Sequence, residues 1–573
     1  MNSFIVMFGF AVSLVVSVSA TPAVTLISKK LKLFDVPDSG HNARRIHSTP
    51  IPRLGGISIF LGFLAPIVLF YDNDVLTSIS LISISIFLLG LIDDLFNVSA
   101  VKRIVIQLTI AFITTVQLNL SIDSIILTQG IHISLPFALS YALPTLIIVG
   151  AINSLNMIDG LDGLAGGVFI VSLLMLAYLF SITTNFSDAT VIIALPMIGA
   201  TLGFLRYNTH PATIFMGDSG SNWLGYMIGV FILINLSSTN IFTDQPKAAP
   251  SLISAILCFA IPIFDTFLVI VSRMIKGLNP MHSDNRHFHH SLINLGLSQS
   301  QAVVCIYFLS ICSAISGLLP IIYPNYSLEW APILWSSLLI TIIPLSVFLD
   351  KKNLQRLVNF KKYVVAHPTL SVGSTRLITL WERVNKYCLF SVLVLPSVFA
   401  GGFDVTIGYI STVSLALLLT MFATTTKKND FFETVVIAIC CITLLIANNH
   451  RILQVGFQGS IYHINDLYNF LFIFLAASTS MFVLFTLKRK YLILTPSDFL
   501  MALIPLLMLL SPQHIIQEYY LDIISLRCFI VFIAYKALEK RRRSSNRHLK
   551  LAFIFSLAYI ASVSLLGFKI MYD

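Results

Sequence analysis

Apolar runs of roughly 17–22 residues recur along the whole chain, separated by short polar stretches, and runs of that length read as bilayer-crossing helices. The pattern predicts spans at 3–28, 54–72, 75–92, 104–119, 136–152, 164–182, 190–205, 222–238, 251–272, 301–323 and 331–349. A basic segment follows from Asp350 to Lys386, and about seven weaker spans come after it. The fold class expected is all-α: a polytopic integral membrane helical bundle of about ten or eleven spans, extended at the C-terminus by about seven more. Three regions result: a membrane core over 1–350, a basic linker over 351–386, and a C-terminal transmembrane extension over 387–573 with no function assigned. No pair of Gly-broken apolar segments is matched between halves, which argues against a transporter built from repeats.

Composition agrees with this pattern, since 56% of the 573 residues are hydrophobic and 11% are charged. A water-soluble protein could not cover so much apolar surface. The net charge of +10 sits in short loops rather than in one stripe, which argues against nucleic acid as a partner. Alternate loops divide by sign. One set carries Lys29, Lys30, Lys32, Arg44, Arg45, Arg53, Lys102, Arg103, Arg206, Arg273 and Arg286, while the other carries Asp72, Asp74, Asp123, Asp188 and Glu329. Basic loops stay cytoplasmic, so the N-terminus is expected outside. No Lys or Arg precedes the first apolar run and three lysines follow it, which predicts an uncleaved first span. The seven cysteines lie in or beside apolar segments without CxxC spacing and read as structural thiols.

Ionisable groups at membrane depth are costly, so each is a candidate for function. Asp93-Asp94 ends the third span. Neighbours on a helix point about 100° apart, which suits two carboxylates of different role, one for a metal and one as a base, or else a solvated helix end. Asn153, Asn156, Asp159 and Asp162 recur every third position in a glycine-containing stretch. A 3₁₀ turn would align them and an α-helix would fan them out. Asp218 stands between Gly217 and Gly220 after Asn208, which suits a carboxylate presented to a phosphate-bound Mg²⁺ or an Asx turn. Arg286, His287, His289 and His290 can donate to a pyrophosphate; zinc is the competing use of such histidines, although no cysteine or HExxH partner is nearby. The loop from Asp35 to Gly56, with Arg45 and Arg53, fits positive-inside charge or an ordered phosphate contact. All five groups fall on the cytoplasmic side of the charge-derived topology, which points to one active site.

Residues 1–350 resemble the bacterial polyprenyl-phosphate N-acetylhexosamine-1-phosphate transferases. The resemblance rests on Ile51–Gly56 (IPRLGG), Asp93-Asp94, Asn153–Gly167 (NSLNMIDGLDGLAGG), Asn208 with Phe215–Ser221 (FMGDSGS), and His287–His290 (HFHH). Within that family the chain looks most like the branch that initiates O-antigen, enterobacterial common antigen or teichoic acid. The resemblance implies dependence on Mg²⁺, with Mn²⁺ as its substitute, and a UDP-N-acetylhexosamine donor, UDP-N-acetylglucosamine first among them. It also implies undecaprenyl phosphate as acceptor, release of UMP, and an active site on the cytoplasmic face of the inner membrane.

Residue by residue, it implies Asp218 as a metal ligand with Asp94 beside it, and Asp93 as the base for the lipid phosphate. Asn153, Asn156, Asp159, Asp162 and Asn208 are implied to contact the nucleotide-sugar or order the site, and His287, His289 and His290 to handle phosphate and sugar. The chain departs from the branch in placing Arg286 next to His287, where the branch carries its arginine one position earlier. The longer signature of the lipid II-initiating relatives is absent, which argues against a muramyl-pentapeptide donor. Oligomeric state is left open, a homodimer included. The rival from another class is a lipid-linked glycan transporter or flippase.

Overall fold

The computed structural model describes residues 3–35, 49–70, 74–128, 131–183, 188–237, 239–240, 245–246, 251–275, 277, 287–294, 297–322 and 331–339 of the first part of the chain. Beyond these it describes 380–394, 411–416, 418–419, 437, 439–441, 443, 454–457, 460–463, 471–479, 496, 498, 521–539 and 547–566. The chain forms two compact units, Met1–Leu354 and Gln355–Asp573. Among the described residues, seven helices are long and apolar enough to cross a membrane, and shorter apolar helices cover Gly56–Phe70, Ile192–Asn208 and Leu551–Ser562. The protein is an all-α polytopic membrane protein.

The first unit is built from α1 (Ser3–Lys30), α2 (Gly56–Phe70), α3 (Asp74–Phe96), α4 (Ala100–Gln117), α5 (Phe137–Ile158) and α6 (Leu164–Thr183). It continues through α7 (Asp188–Asn208), α8 (Gly217–Leu236), α9 (Leu252–Leu257), α10 (Ala260–Ile275), α11 (Phe288–Asn294) and α12 (Gln299–Ile322). A helix of 20 residues such as α6 or α8 is about 30 Å long, which matches the hydrocarbon core of a bilayer. The α8 helix is largely apolar beyond its first two turns, with no continuous polar face, and its span is wholly buried. A helix without a polar face belongs at the centre of a bundle. It packs there against α2, α3, α5 and α6, while α1 lies along α7 and α2, and α12 along α6.

Two expectations are corrected in detail. The span expected over 251–272 is broken into α9 and α10 at Cys258 and Phe259. Pro262 has no N–H to give the carbonyl four residues earlier, so one continuous helix would leave Cys258 unpaired. The helix expected to end near 152 runs on to Ile158, carrying Asn153 and Asn156 on α-helical pitch. Asn153 and Asn156 therefore turn to different partners, while Asp159 and Asp162 lie beyond the end of the helix.

Small polar pairs tie the bundle internally. Asn153 Nδ2 donates to Gln107 Oε1 at 2.8 Å, joining α5 to α4. Thr114 and Tyr226 hydroxyls meet at 3.1 Å between α4 and α8, and Thr21 Oγ1 donates to Ser58 Oγ at 3.0 Å between α1 and α2. The second unit has its own core, in which Leu389, Leu393, Cys440, Cys441, Cys528 and Phe532 are buried together. Its described elements include helices Leu521–Glu539 and Arg547–Leu566 and an antiparallel hairpin of Gln454–Phe457 with Ser460–His463.

The start of α8 is held by helices that approach without side chains between them. A Cβ on Gly90 of α3 would collide with the Asp218 carbonyl and lie 2.6 Å from Ser219 Cα, and a Cβ on Gly56 would collide with the backbone of Gly220. Gly90→Ala is therefore expected to destabilise the protein by about 1–3 kcal/mol, as overpacking does. Gly150→Ala, where a Cβ would meet nothing within 4 Å, is expected to be neutral or to gain up to about 1 kcal/mol of helix propensity. Thermal melts of the two variants in detergent check the contrast.

Candidate active site

The chain segment before α2 and the turn before α8 are knitted together by backbone. Ile51–Pro52 pairs antiparallel with Phe34–Asp35, and Arg53 bridges Phe215 in parallel. The Phe215 N–H donates to the Pro52 carbonyl at 2.8 Å, and the Gly55 and Gly56 N–H groups donate to the Phe215 and Met216 carbonyls at 2.9 and 2.8 Å. This lattice places Arg53 over the first turn of α8, where its Nη2 lies 2.9 Å from Asp94 Oδ1 and 3.4 Å from Asp218 Oδ2.

Asp94 and Asp93, adjacent on α3, turn to different partners. The Asp94 side chain is fully enclosed, and the backbone N–H groups of Asp218 and Ser219 donate to its two oxygens at 2.9 Å each. The N-terminus of a helix leaves such N–H groups unpaired and carries partial positive charge, so a carboxylate there is doubly favoured. Gly217 permits the approach: its φ is +72°, and a Cβ would stand 2.6 Å from Asp94 Oδ2. Asp93 instead accepts from the Val98 N–H at 2.7 Å and from Arg103 Nη1 at 2.6 Å. It fastens the turn from α3 into α4.

Beside these supports lies a cavity of about 570 Å³, lined among others by Asp35, Arg53, Asn156, Asp159, Asp162, Asn208, His210, Asp218, Ser221, His290 and Gln299. Asp218 stands in its wall with Asn156 Nδ2 donating to Oδ1 at 2.6 Å and to Ser221 Oγ at 2.9 Å. Asp162 holds the far side, where its Oδ2 takes the Ala212 N–H at 3.1 Å and lies 2.8 Å from His210 Nδ1. This hydrogen bond raises the His210 imidazole above its ordinary value. Asn208 clasps the two loops, accepting from the Gly163 N–H at 3.1 Å and donating to the Ile214 carbonyl at 2.9 Å. Tyr307 of α12 donates to the Gly163 carbonyl at 2.6 Å.

The histidine segment approaches from α11. His290 lines the cavity, whereas His287 and His289 are buried. Their rings stack at 5.5 Å, and His289 rests on Gly160, where a Cβ would come within 2.5 Å of Nε2. Burial, with His290 and His287 alongside, pushes the His289 imidazole well below its usual range.

The structure thus brings Arg53, Asn156, Asp159, Asp162, Asn208, Asp218 and His290 to one cavity. Asp93, Asp94 and Asn153 are not among the residues that line it: Asp93 and Asn153 bond away from it, to Arg103 and Gln107, while Asp94 bonds Arg53 and the Asp218 N–H in its wall from behind. Arg45 and Arg286 lie outside the described residues. Two residues were passed over in the sequence. His210 stands in the cavity wall with only an adjoining Pro to mark it, and Asp265 is buried inside α10. A lone carboxylate within an apolar span is itself a signal for function, and that signal pointed to Asp265.

Four carboxylates, Asp35, Asp159, Asp162 and Asp218, share this cavity wall with one guanidinium. Burial and the charges of Asp218, Asp94, Asp162 and Asp35 push the half-buried Asp159 carboxyl up to about 8. Such a donor set invites a divalent cation, and Mg²⁺ takes one or two carboxylates together with substrate phosphates. Among the described residues no three His, Cys, Asp or Glu side chains form a self-sufficient metal cage.

The family described as Glycosyl transferase family 4 matches residues 76–236, which contain Asp93, Asp94, Asn156, Asp159, Asp162 and Asp218. Over 321 residues the chain is 35% identical to the probable undecaprenyl-phosphate N-acetylglucosaminyl 1-phosphate transferase of Bacillus subtilis (strain 168), covering 55% of this chain and 84% of that relative. The chain belongs to the polyprenyl-phosphate N-acetylglucosamine-1-phosphate transferase family. It is also 31% identical over 314 residues to the undecaprenyl-phosphate alpha-N-acetylglucosaminyl 1-phosphate transferase of Escherichia coli (strain K12), covering 53% of this chain and 80% of that relative. A third family member, the decaprenyl-phosphate N-acetylglucosaminephosphotransferase of Mycolicibacterium smegmatis, is 31% identical over 294 residues, 46% of this chain and 70% of its own length.

The raised Asp159 has a stability consequence with a definite sign. Its folded value near 8 exceeds the ordinary carboxyl value of about 4, so the folded state holds a proton that the unfolded chain gives up. The resulting penalty is absent below pH ~4 and grows as pH rises through 4 to 8. Asp159→Asn is expected to raise the melting temperature of the substrate-free protein more at pH 8 than at pH 5. Detergent melts at both values check it; an equal shift at both would contradict the assignment.

Proposed function

We propose that this enzyme transfers N-acetylglucosamine-1-phosphate from UDP-N-acetylglucosamine to undecaprenyl phosphate, releases UMP and so begins a cell-envelope polysaccharide. The observation that carries the reading is the convergence of Asp218, Asp159, Asn156, Arg53 and His290 on one cavity, in a chain whose relatives are named undecaprenyl-phosphate N-acetylglucosaminyl 1-phosphate transferases. The cavity opens on the cytoplasmic face of the inner membrane in this reading, because the basic loops lie at the same end of the predicted topology.

In the reaction an oxygen of the lipid phosphate attacks the β-phosphorus of the donor. The new P–O bond forms as the bond from that phosphorus to the bridging oxygen breaks, and UMP leaves with the electron pair. Charge develops on phosphoryl oxygens, so the protein's part is placement and electrostatics. Asp218 and Asp159 would hold Mg²⁺ with the diphosphate, and the metal when bound supplies neutralisation of that charge. Asp94 supports this set from behind by fixing the start of α8. Asn156 orients the Asp218 carboxylate, and Arg53 supplies a fixed positive charge at the cavity wall. His290 reaches the sugar or its phosphate from α11.

The lipid phosphate, with a second pKa of about 6, is already largely ionised at neutral pH and requires little help from a base. That removes the need for Asp93 at the reacting atoms and fits its engagement with Arg103. Direct attack is therefore favoured over a covalent phosphosugar on an aspartate. The transporter alternative is not favoured, because the relatives are named as transferases and the acidic groups gather at helix ends around one cavity.

Purified protein given UDP-N-acetylglucosamine, undecaprenyl phosphate and Mg²⁺ is expected to release UMP only when lipid and metal are both present. Asp218→Asn is expected to lower the rate at least about 100-fold, the scale of losing a main electrostatic group. Release with another UDP-N-acetylhexosamine in place of this donor would correct the sugar. Silence from folded protein with every such donor would sink the reading.

A further inference from the structure

Asp265 sits in α10 with its carboxylate 2% exposed, inside an apolar segment where an unpaired charge would be expensive. Both of its recorded partners belong to the histidine segment. Oδ1 accepts the Phe288 N–H at 2.8 Å, at the start of α11, and Oδ2 lies 3.1 Å from His287 Nδ1. With Asp265 as a carboxylate, which only accepts, the tautomer that completes this contact carries its proton on Nδ1 and turns Nε2 the other way. From His287 the contact runs onward. Its ring stacks on His289, His289 seats against Gly160 beside Asp159, and His290 completes the run in the cavity wall.

We propose that Asp265 is a positioning residue: by fixing the proton of His287 on Nδ1 and anchoring the start of α11, it sets the histidine segment against the floor of the cavity and aims His290 at the donor's phosphosugar. The proposal deepens the transferase reading and rests on it for the role of His290. A carboxylate that orients a ligating imidazole costs about 10–100-fold when lost, and here Asp265 orients His287, three residues before the His290 that lines the cavity.

Capping and proton placement make different demands, and Asp265→Asn separates them. The amide oxygen can still accept the Phe288 N–H, since Asn caps a helix as well as Asp. Its NH₂ then faces His287 Nδ1 and forces that nitrogen to accept, moving the proton to Nε2. In the full-length protein, assayed for UMP release from UDP-N-acetylglucosamine with undecaprenyl phosphate and Mg²⁺, Asp265→Asn is expected to lower kcat at least about tenfold. The KM for donor is expected to stay within about threefold, because the nucleotide contacts are untouched.

Selective ¹⁵N-histidine spectra, with His287 assigned from its loss in His287→Gln, give a second readout that needs no turnover. Wild-type protein is expected to show the His287 proton on Nδ1, and Asp265→Asn to show Nδ1 without it. Wild-type kcat in a folded Asp265→Asn protein would overturn the proposal, reducing Asp265 to a cap. So would a wild-type spectrum with Nδ1 unprotonated, which decides the matter even if the variant fails to fold. Absence of turnover in the wild type with its Nδ1 proton in place would instead count against the transferase reading alone.

Discussion

Both oxygens of the Asp94 carboxylate are given to the backbone of a neighbouring helix, and most of the site follows from that arrangement. The first turn of α8 has N–H groups with no helical partner. Asp94 supplies the acceptors and Arg53 balances its charge. Because the start of α8 is pinned, Asp218 projects from a fixed point, and Asn156 can reach it from the end of α5. Glycines at 56, 90 and 217 are what allow these backbones to meet, since a Cβ at any of them would strike the α8 turn or Asp94. Asp94 is thereby a support on which the placement of Asp218 depends.

The same economy runs through the rest of the cavity. Asn208 and Tyr307 bind the loop after α5 to the loop before α8 through the two backbone groups of Gly163. Asp162 joins that loop to His210 and Ala212. Asp159 and Asp218 line the same cavity, with Asp159 raised by burial and by its acidic neighbours. Holding several carboxylates so close has a stability cost, and a site that recruits a divalent cation and a diphosphate would recover it on binding.

Much of the fold was legible because a bilayer permits few structures: apolar runs of sufficient length become helices, and most helices of the first unit fall on those runs, apart from the longer α5, the split into α9 and α10, and the short α11. The candidate residues Asn156, Asp159, Asp162, Asn208, Asp218 and His290 were legible as polar groups that apolar surroundings would not tolerate without purpose. What the linear pattern could not carry was direction. Asn153 and Asn156 lie three apart and look equivalent, yet helical pitch sends one to Gln107 and the other to Asp218. Asp93 and Asp94 look like a pair, and each serves a different helix. The break between α9 and α10 was not legible, since Pro66, Pro144, Pro196 and Pro320 sit inside unbroken helices. Nor was the partnership of Asp265 with a segment more than twenty residues on, because contact across the fold leaves no local spacing.

The account stands on the cavity beside α8 being where donor and acceptor meet. An experimental structure of the full-length protein with UDP-N-acetylglucosamine and Mg²⁺ tests that most directly. The donor's diphosphate is predicted within the cavity, with the metal between it and the carboxylates of Asp218 and Asp159 and with His290 on the sugar side. A nucleotide-sugar bound elsewhere, or one held in the cavity with Asp218 and Asp159 turned away from its phosphates, would contradict it.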